Sequence, residues 1–85
     1  MIFDLLRKKG YSGPNEFLRV NEWLKSLDVN LVITEIHGDE GPSYYAEVSF
    51  PPHTNRFTGE IYSSIEDAVE VLLYNYIDYI PFKNN

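Results

Sequence analysis

Tyr44-Tyr45-Ala46-Glu47-Val48-Ser49-Phe50 decides the fold of this chain. Tyr44, Ala46, Val48 and Phe50 fall on one face of an extended segment, and Tyr45, Glu47 and Ser49 fall on the other. That period of two marks a strand with one face against a core and one towards solvent. On its C-terminal side, Pro51-Pro52-His53-Thr54-Asn55 stops the strand and forms a loop. Arg56 to Tyr62 is expected to run back as a third strand, with Phe57, Gly59 and Ile61 opposed to Arg56, Thr58, Glu60 and Tyr62. On its N-terminal side, Gly38-Asp39-Glu40-Gly41-Pro42 has the composition of a turn, and Leu31 to His37, rich in Val, Ile and Thr, reads as the first strand.

Helical periodicity flanks these strands. Ser63 is a candidate N-cap, with Glu66 at the acid position of a capping box. Ile65, Ala68, Val69, Leu72, Leu73, Tyr76 and Ile80 then make one stripe, expected to reach about Tyr79 before Pro81 ends it. Upstream, Phe17, Val20, Leu24 and Leu27 recur at spacings of three and four, widened by Trp23, so a helix is expected over Pro14–Leu27 with Ser12 or Gly13 as its cap. Ile2 to Lys9 reads as a short helix with its basic residues near the C-terminal end and Gly10 as a left-handed stop. Too short to persist alone, it must dock on something.

The expected fold is α+β: a three-stranded antiparallel sheet, helices mainly on one face, order α-α-β-β-β-α. Two short loops between strands imply a meander. At 85 residues, with no linker or repeat, the sequence reads as a single domain over 1–85, with 1–10 a short N-terminal helix and 81–85 a polar tail. The expected core is Phe17, Val20, Trp23, Leu24, Leu27, Ala46, Val48, Phe50, Phe57, Ile61, Ile65, Val69, Leu72 and Leu73. The sequence leaves open which sheet face receives the N-terminal helix.

Composition narrows function more than it assigns it. Thirteen acidic residues against seven Lys plus Arg give a formal net charge of -6. That argues against direct nucleic-acid binding, which needs a basic footprint. With no cysteine, thiolate metal sites, disulfides and cysteine nucleophiles are ruled out. Apolar runs are too short to cross a bilayer, and Met1–Lys9 mixes charge too closely with apolar residues for a secretory signal, so a cytoplasmic protein without membrane contact is expected.

No set of residues meets the requirements of catalysis. Ser63 and Ser64 lack a neighbouring His, and capping accounts for Ser63. Glu47 and Glu60 could meet across strands, but an exposed sheet would not desolvate them enough to share a proton. His37, Asp39 and Glu40 share a turn, a thin ligand set for a metal, and His53 belongs to the other loop. Glycines flank turns rather than building a phosphate loop. The expectation is a non-catalytic protein without cofactor or metal.

What remains is the sheet face that the helices leave open. Tyr45, Glu47, Glu60 and Tyr62, with Glu35 joining from the first strand, are the expected partner-binding residues. Tyrosine supplies apolar area and a hydrogen bond at low entropic cost, so tyrosines among carboxylates suit a wet protein interface. The plainer alternative is a solvated sheet face whose tyrosines merely support strand pairing. Tyr74, beside Glu70 and Asp78, also looks surplus to a core. Three roles follow: a protein-binding module, an acidic mimic of nucleic acid that occupies a basic groove, and self-association through a sheet edge or the N-terminal segment.

Tyr44-Tyr45-Ala46-Glu47, Phe50-Pro51, Gly59-Glu60 and Ser64-Ile65-Glu66-Asp67-Ala68 together resemble the strand–strand–helix core of HicB-type antitoxin domains, over about residues 31–76. The resemblance implies a double-stranded-RNA-binding-like α/β fold that binds a protein toxin rather than RNA. The chain departs from that pattern at Pro52, where an aspartate is usual, and in the helical segment before its first strand. The basic cluster that grips phosphate in true RNA-binding domains is replaced by acidic Ser63-Ser64-Ile65-Glu66-Asp67. The composition is also loosely similar to small phage accessory proteins, and a protein-binding module of this kind would act as an inhibitor, an antitoxin-like protein or an accessory protein.

Overall fold

The computed structural model describes residues 2–52 and 55–82. Its order is α1 (Ile2–Lys8), α2 (Phe17–Ser26), β1 (Asn30–Gly38), β2 (Gly41–Ser49), β3 (Phe57–Thr58) and α3 (Ile65–Asn75), followed by one 3₁₀ turn, Ile77–Tyr79. The strands form one antiparallel sheet in the order β1-β2-β3, so the fold is α+β with the element order read from the sequence. Helix α3 packs on β2, α2 packs on β1, and α1 packs against α3. All three helices thus share one layer, tied further by a 5.0 Å ring contact between Phe3 and Phe17.

The core follows from this layering. Val20, Leu24, Ala46, Val48, Val69, Leu72 and Leu73 are fully buried, as their periodicity predicts. Ile2, Phe3 and Leu6 join them, which answers the need of a two-turn helix for a docking surface. Phe50, buried as expected, and Tyr11, Val29, Leu31, Ala68 and Ile80 complete the interior. Phe17, Trp23, Leu27 and Phe57 are partly buried at its margin. At the edge of the core, Phe57 stacks on Tyr76 at 4.6 Å, and buried Phe50 and exposed Tyr79 flank the pair at 5.6 to 6.4 Å.

Two helices stop in the same way. After α1, Tyr11 N–H reaches Leu6 O and Gly10 N–H reaches Arg7 O, with Gly10 at φ 108°. After α2, Val29 N–H reaches Leu24 O and Asp28 N–H reaches Lys25 O, with Asp28 at φ 62°. Both are Schellman stops, in which a left-handed residue lets two orphan carbonyls be satisfied. In each the residue after the left-handed position is buried in the same core as the helix it ends: Tyr11 with Leu6, and Val29 with Leu24. The first uses the expected glycine; the second sets a side chain where one is disfavoured.

Several element boundaries differ from expectation. Helix α2 starts at Phe17 with Glu16 as N-cap rather than at Pro14. The Tyr11 hydroxyl donates to Pro14 O and Arg7 donates to Asn15 Oδ1, which pins the connector in a non-helical path. Helix α3 is capped by Ser64, whose Oγ accepts from Asp67 N–H at 3.1 Å, rather than by Ser63 with Glu66. It ends at Asn75, since Tyr76 leaves helical geometry at φ -116°. The third strand keeps only Phe57–Thr58 as regular ladder, with one further bridge, Tyr44 to Tyr62. Ile65 and Ile61, both expected inside, are 38% and 61% exposed. Residues 83–85 of the expected tail and His53 of the expected loop lie outside the described residues.

Two stability measurements check these local readings. Asp28→Gly relieves the left-handed strain and raises stability by about 0.5–1 kcal/mol in urea unfolding, whereas Asp28→Val lowers it. At Gly13, an added Cβ would sit 2.6 Å from the Tyr11 hydroxyl, a ring buried against Trp23 at 5.5 Å. Gly13→Ala is therefore expected to cost about 1–3 kcal/mol in the same experiment.

Candidate interaction surface

Which side chains face outward is set by the pairing register. Strands β1 and β2 pair from Asn30 opposite Ser49 to Gly38 opposite Gly41, leaving Asp39 and Glu40 as a two-residue turn. Directly opposed residues share a face. Leu31 and Ile33 therefore lie on the helix side with Val48 and Ala46, and Val32, Thr34 and Ile36 lie on the open side with Glu47, Tyr45 and Ser43. From β3, Thr58 stands opposite Glu47, and its hydroxyl donates to Glu47 Oε2 at 3.4 Å. Arg56 approaches Glu47 Oε1 at 4.0 Å. Among the described residues, no helix lies on this side.

The open face is thus a stripe of Val32, Thr34 and Ile36 beside Tyr45, with the Glu47–Thr58–Arg56 set next to it. Val32 and Ile36 are 37% and 38% exposed. Glu47 is held between two neighbours and keeps only 22% of its side chain exposed. It therefore contributes fixed acceptor geometry rather than a free charge.

Of the five expected partner-binding residues, Tyr45 and Glu47 stand together on this face. Glu35 does not. A loop over Gly38–Pro42 would set it opposite Tyr45; the actual two-residue turn shifts the pairing by one and sets it opposite Tyr44, on the helix side. Tyr62 is also on the helix side. From Glu47 to Tyr44 strand β2 advances three residues, while the facing segment advances four, from Thr58 to Tyr62. The extra residue breaks the alternation in the manner of a bulge. It turns Tyr62 against the core and pushes Ile61 out. Glu60 lies within that irregular segment, exposed at the edge of a cleft of about 210 Å³ that also includes Tyr62, Leu72 and Tyr76.

The displaced residues form their own small group on the helix side of the hairpin. Glu35 Oε2 lies 2.8 Å from His37 Nε2, and the Tyr44 hydroxyl hydrogen-bonds to the same carboxylate. That bond favours the neutral phenol and raises the Tyr44 pKa above 10.0, with Glu66 adding to the effect. Tyr44 in turn exchanges both backbone hydrogen bonds with Tyr62, each 2.7 Å. Among the described residues, no three His, Cys, Asp or Glu side chains come together as a metal site. Among them also, no helix is long and apolar enough to cross a membrane.

Val32 and Ile36 are the residues of this surface that the sequence left unassigned. Both faces of β1 carry aliphatic residues, so its alternation does not choose a side; only the register with β2 does. Tyr74, expected to be surplus, is 62% exposed on α3, remote in the fold from the open face. No known protein family, curated protein or solved structure matches this chain.

The Glu35–Tyr44 contact is open to direct measurement. Glu35→Gln removes the carboxylate charge, so the Tyr44 ring, followed by NMR, is expected to titrate closer to 10.0 than in the wild type. An unchanged titration would mean that the carboxylate does not act on the phenol.

Proposed function

We propose that this chain is a small, acidic, non-catalytic protein-binding module that acts through the open face of its sheet. The observation that carries this reading is the exposure of Val32 and Ile36 beside half-buried Tyr45 on a sheet face that, among the described residues, has no helix on it. Aliphatic residues around a tyrosine, bordered by a fixed carboxylate and a guanidinium, have the layout of an apolar interface centre with a polar rim. The role is that of an inhibitor, an antitoxin-type protein or an accessory subunit, and the HicB-like motif supports the second of these. Tyr45 and Glu47 are kept as contact residues. Glu35, Tyr62 and Glu60 are replaced in that role by Val32, Thr34 and Ile36.

A second reading rests on charge. Glu16, Glu66 and Glu70 line one groove between the helices, and Asp4 and Glu70 line another. A mimic of nucleic acid would present such carboxylates to a basic groove, and its binding would weaken steeply as salt rises.

The two readings separate in one experiment. With this protein as bait in lysate of its source cell, a partner of the open face is retained at high salt. It is lost when Tyr45→Ala is the bait, with affinity down about tenfold or more. Tyr62→Ala, which alters the helix side, leaves the open face in place. A partner washed away by salt from the wild type, and indifferent to Tyr45→Ala, would favour mimicry and overturn the open-face reading.

A further inference from the structure

The outer edge of β1 carries an inference that does not depend on the open face binding another protein. Backbone directions along the sheet follow from three hydrogen bonds. Tyr44 exchanges N–H and C=O with Tyr62, and Ala46 O accepts from Gly59 N–H, so the even residues of β2 point towards β3. Its odd residues therefore point towards β1 and engage Asn30, Val32, Thr34, Ile36 and Gly38, their opposites in the register. By alternation, Leu31, Ile33, Glu35 and His37 turn their N–H and C=O groups outward. Val29, the preceding odd residue, gives its N–H to Leu24 O at the end of α2. From Leu31 onward no such partner exists among the described residues.

This edge has few of the features that keep edges apart. Over nine residues, Asn30-Leu31-Val32-Ile33-Thr34-Glu35-Ile36-His37-Gly38, it holds no proline, no lysine and no arginine. Val32, Ile33 and Ile36 are all exposed. An exposed edge of this length and composition is a template for another strand.

We infer that β1 pairs antiparallel with β1 of a second copy of this chain, about a two-fold axis through Thr34, to form one six-stranded sheet. Full overlap of the strand sets residue 30 opposite residue 38 of the second copy, which fixes this register. It pairs Val32 with Ile36 and Thr34 with Thr34 on the open face. On the helix side it sets Leu31 opposite His37 and Ile33 opposite Glu35. No two like charges stand directly opposed. The two Glu35 carboxylates meet only on the diagonal, and each has its own His37 at 2.8 Å.

A second copy fits better than an unrelated strand for two reasons. The register is self-complementary, as an isologous contact requires. Four outward residues per chain make four bonded pairs, hence eight hydrogen bonds, within the roughly 5–15 of a typical specific interface. The other sheet edge limits growth: β3 has only two ladder residues and then the irregular segment before Tyr62. Pairing therefore closes at two copies instead of extending into a fibre. Because the axis stands perpendicular to the sheet, both helix layers fall on one side and the two open faces join.

The absence of cysteine makes the test direct. In the stated register, residue 34 and its symmetry mate form a non-hydrogen-bonded pair with Cα atoms about 4.5 Å apart, within disulfide range. Thr34→Cys is expected to form a covalent dimer under mild oxidation, and Ile33→Cys to form far less. Wild-type protein is expected to sediment at twice 9.9 kDa at high concentration and to dissociate on dilution. Ile33→Pro removes one outward N–H from an edge strand, where proline is tolerated. With native circular dichroism, it is expected to weaken self-association tenfold or more. Ile33→Lys keeps the strand and is expected to do the same. The inference is overturned by a wild type that stays at 9.9 kDa up to about 1 mM. It is also overturned by a dimer that survives both Ile33 variants, by cross-linking at Ile33→Cys in preference to Thr34→Cys, by open-ended assembly, or by an edge that pairs only with a different protein.

Discussion

The pairing of β1 with β2 is the constraint on which the rest of this structure depends. Side chains alternate with period two, so one step in register exchanges the buried and exposed sets of a whole strand. With Gly38 opposite Gly41, Leu31 meets Val48 and Ile33 meets Ala46 on the side that α2 and α3 cover. The same register delivers Val32, Thr34 and Ile36 to the uncovered side. A single two-residue turn, Asp39-Glu40, thereby decides both the core and the surface. Helix α2 is adjusted to that choice at its own end. The left-handed Asp28 turns the chain so that Val29 is buried and the strand begins one residue later.

The second one-residue step lies across β2. Regular pairing with Thr58 and Phe57 gives way to an extra residue before Tyr62. Had the alternation continued, Ile61 would have entered the core and Tyr62 would have joined Tyr45 outside. Instead Tyr62 packs beside Tyr44 under α3, and Ile61 is expelled into solvent. A large aromatic and a close backbone pair at Tyr44 hold the end of the sheet where β3 is too short to do so. The result is asymmetric: a strong central hairpin, one long free edge and one short edge.

The sequence made the elements legible and left their phase hidden. Periodicity located both long helices and the second and third strands, because repeated apolar spacing is a property of many residues at once, and β-branched content located the first. It also named Tyr45 and Glu47, whose strand has one plainly apolar face. Glu35 and Tyr62 were misplaced for the same physical reason: each depends on a count of residues through a turn or bulge, where one insertion reverses the outcome. Gly and Asp near residues 38–41 signal a turn but not its length. Tyr11 was hidden differently. Its value comes from burial against Trp23 and a bond to Pro14 O, tertiary contacts that a turn-like Tyr-Ser-Gly segment does not announce.

The free edge and the open face belong to the same strand, and this has a consequence for how the protein can work. Among the described residues, no helix covers the open side, which leaves Val32 and Ile36 exposed, and no strand flanks β1, which leaves the amides of Leu31, Ile33, Glu35 and His37 turned outward. Pairing through the edge would use the main chain alone and leave every open-face side chain available. It would also place the aliphatic rows of two copies side by side, so that the exposed patch grows without any change within a protomer. A patch too small in one copy to hold a partner firmly could thus become sufficient in two. Strand pairing and surface recognition, as proposed, would therefore be complementary uses of β1, separated by the alternation that sends its amides to the edge and its side chains to the faces.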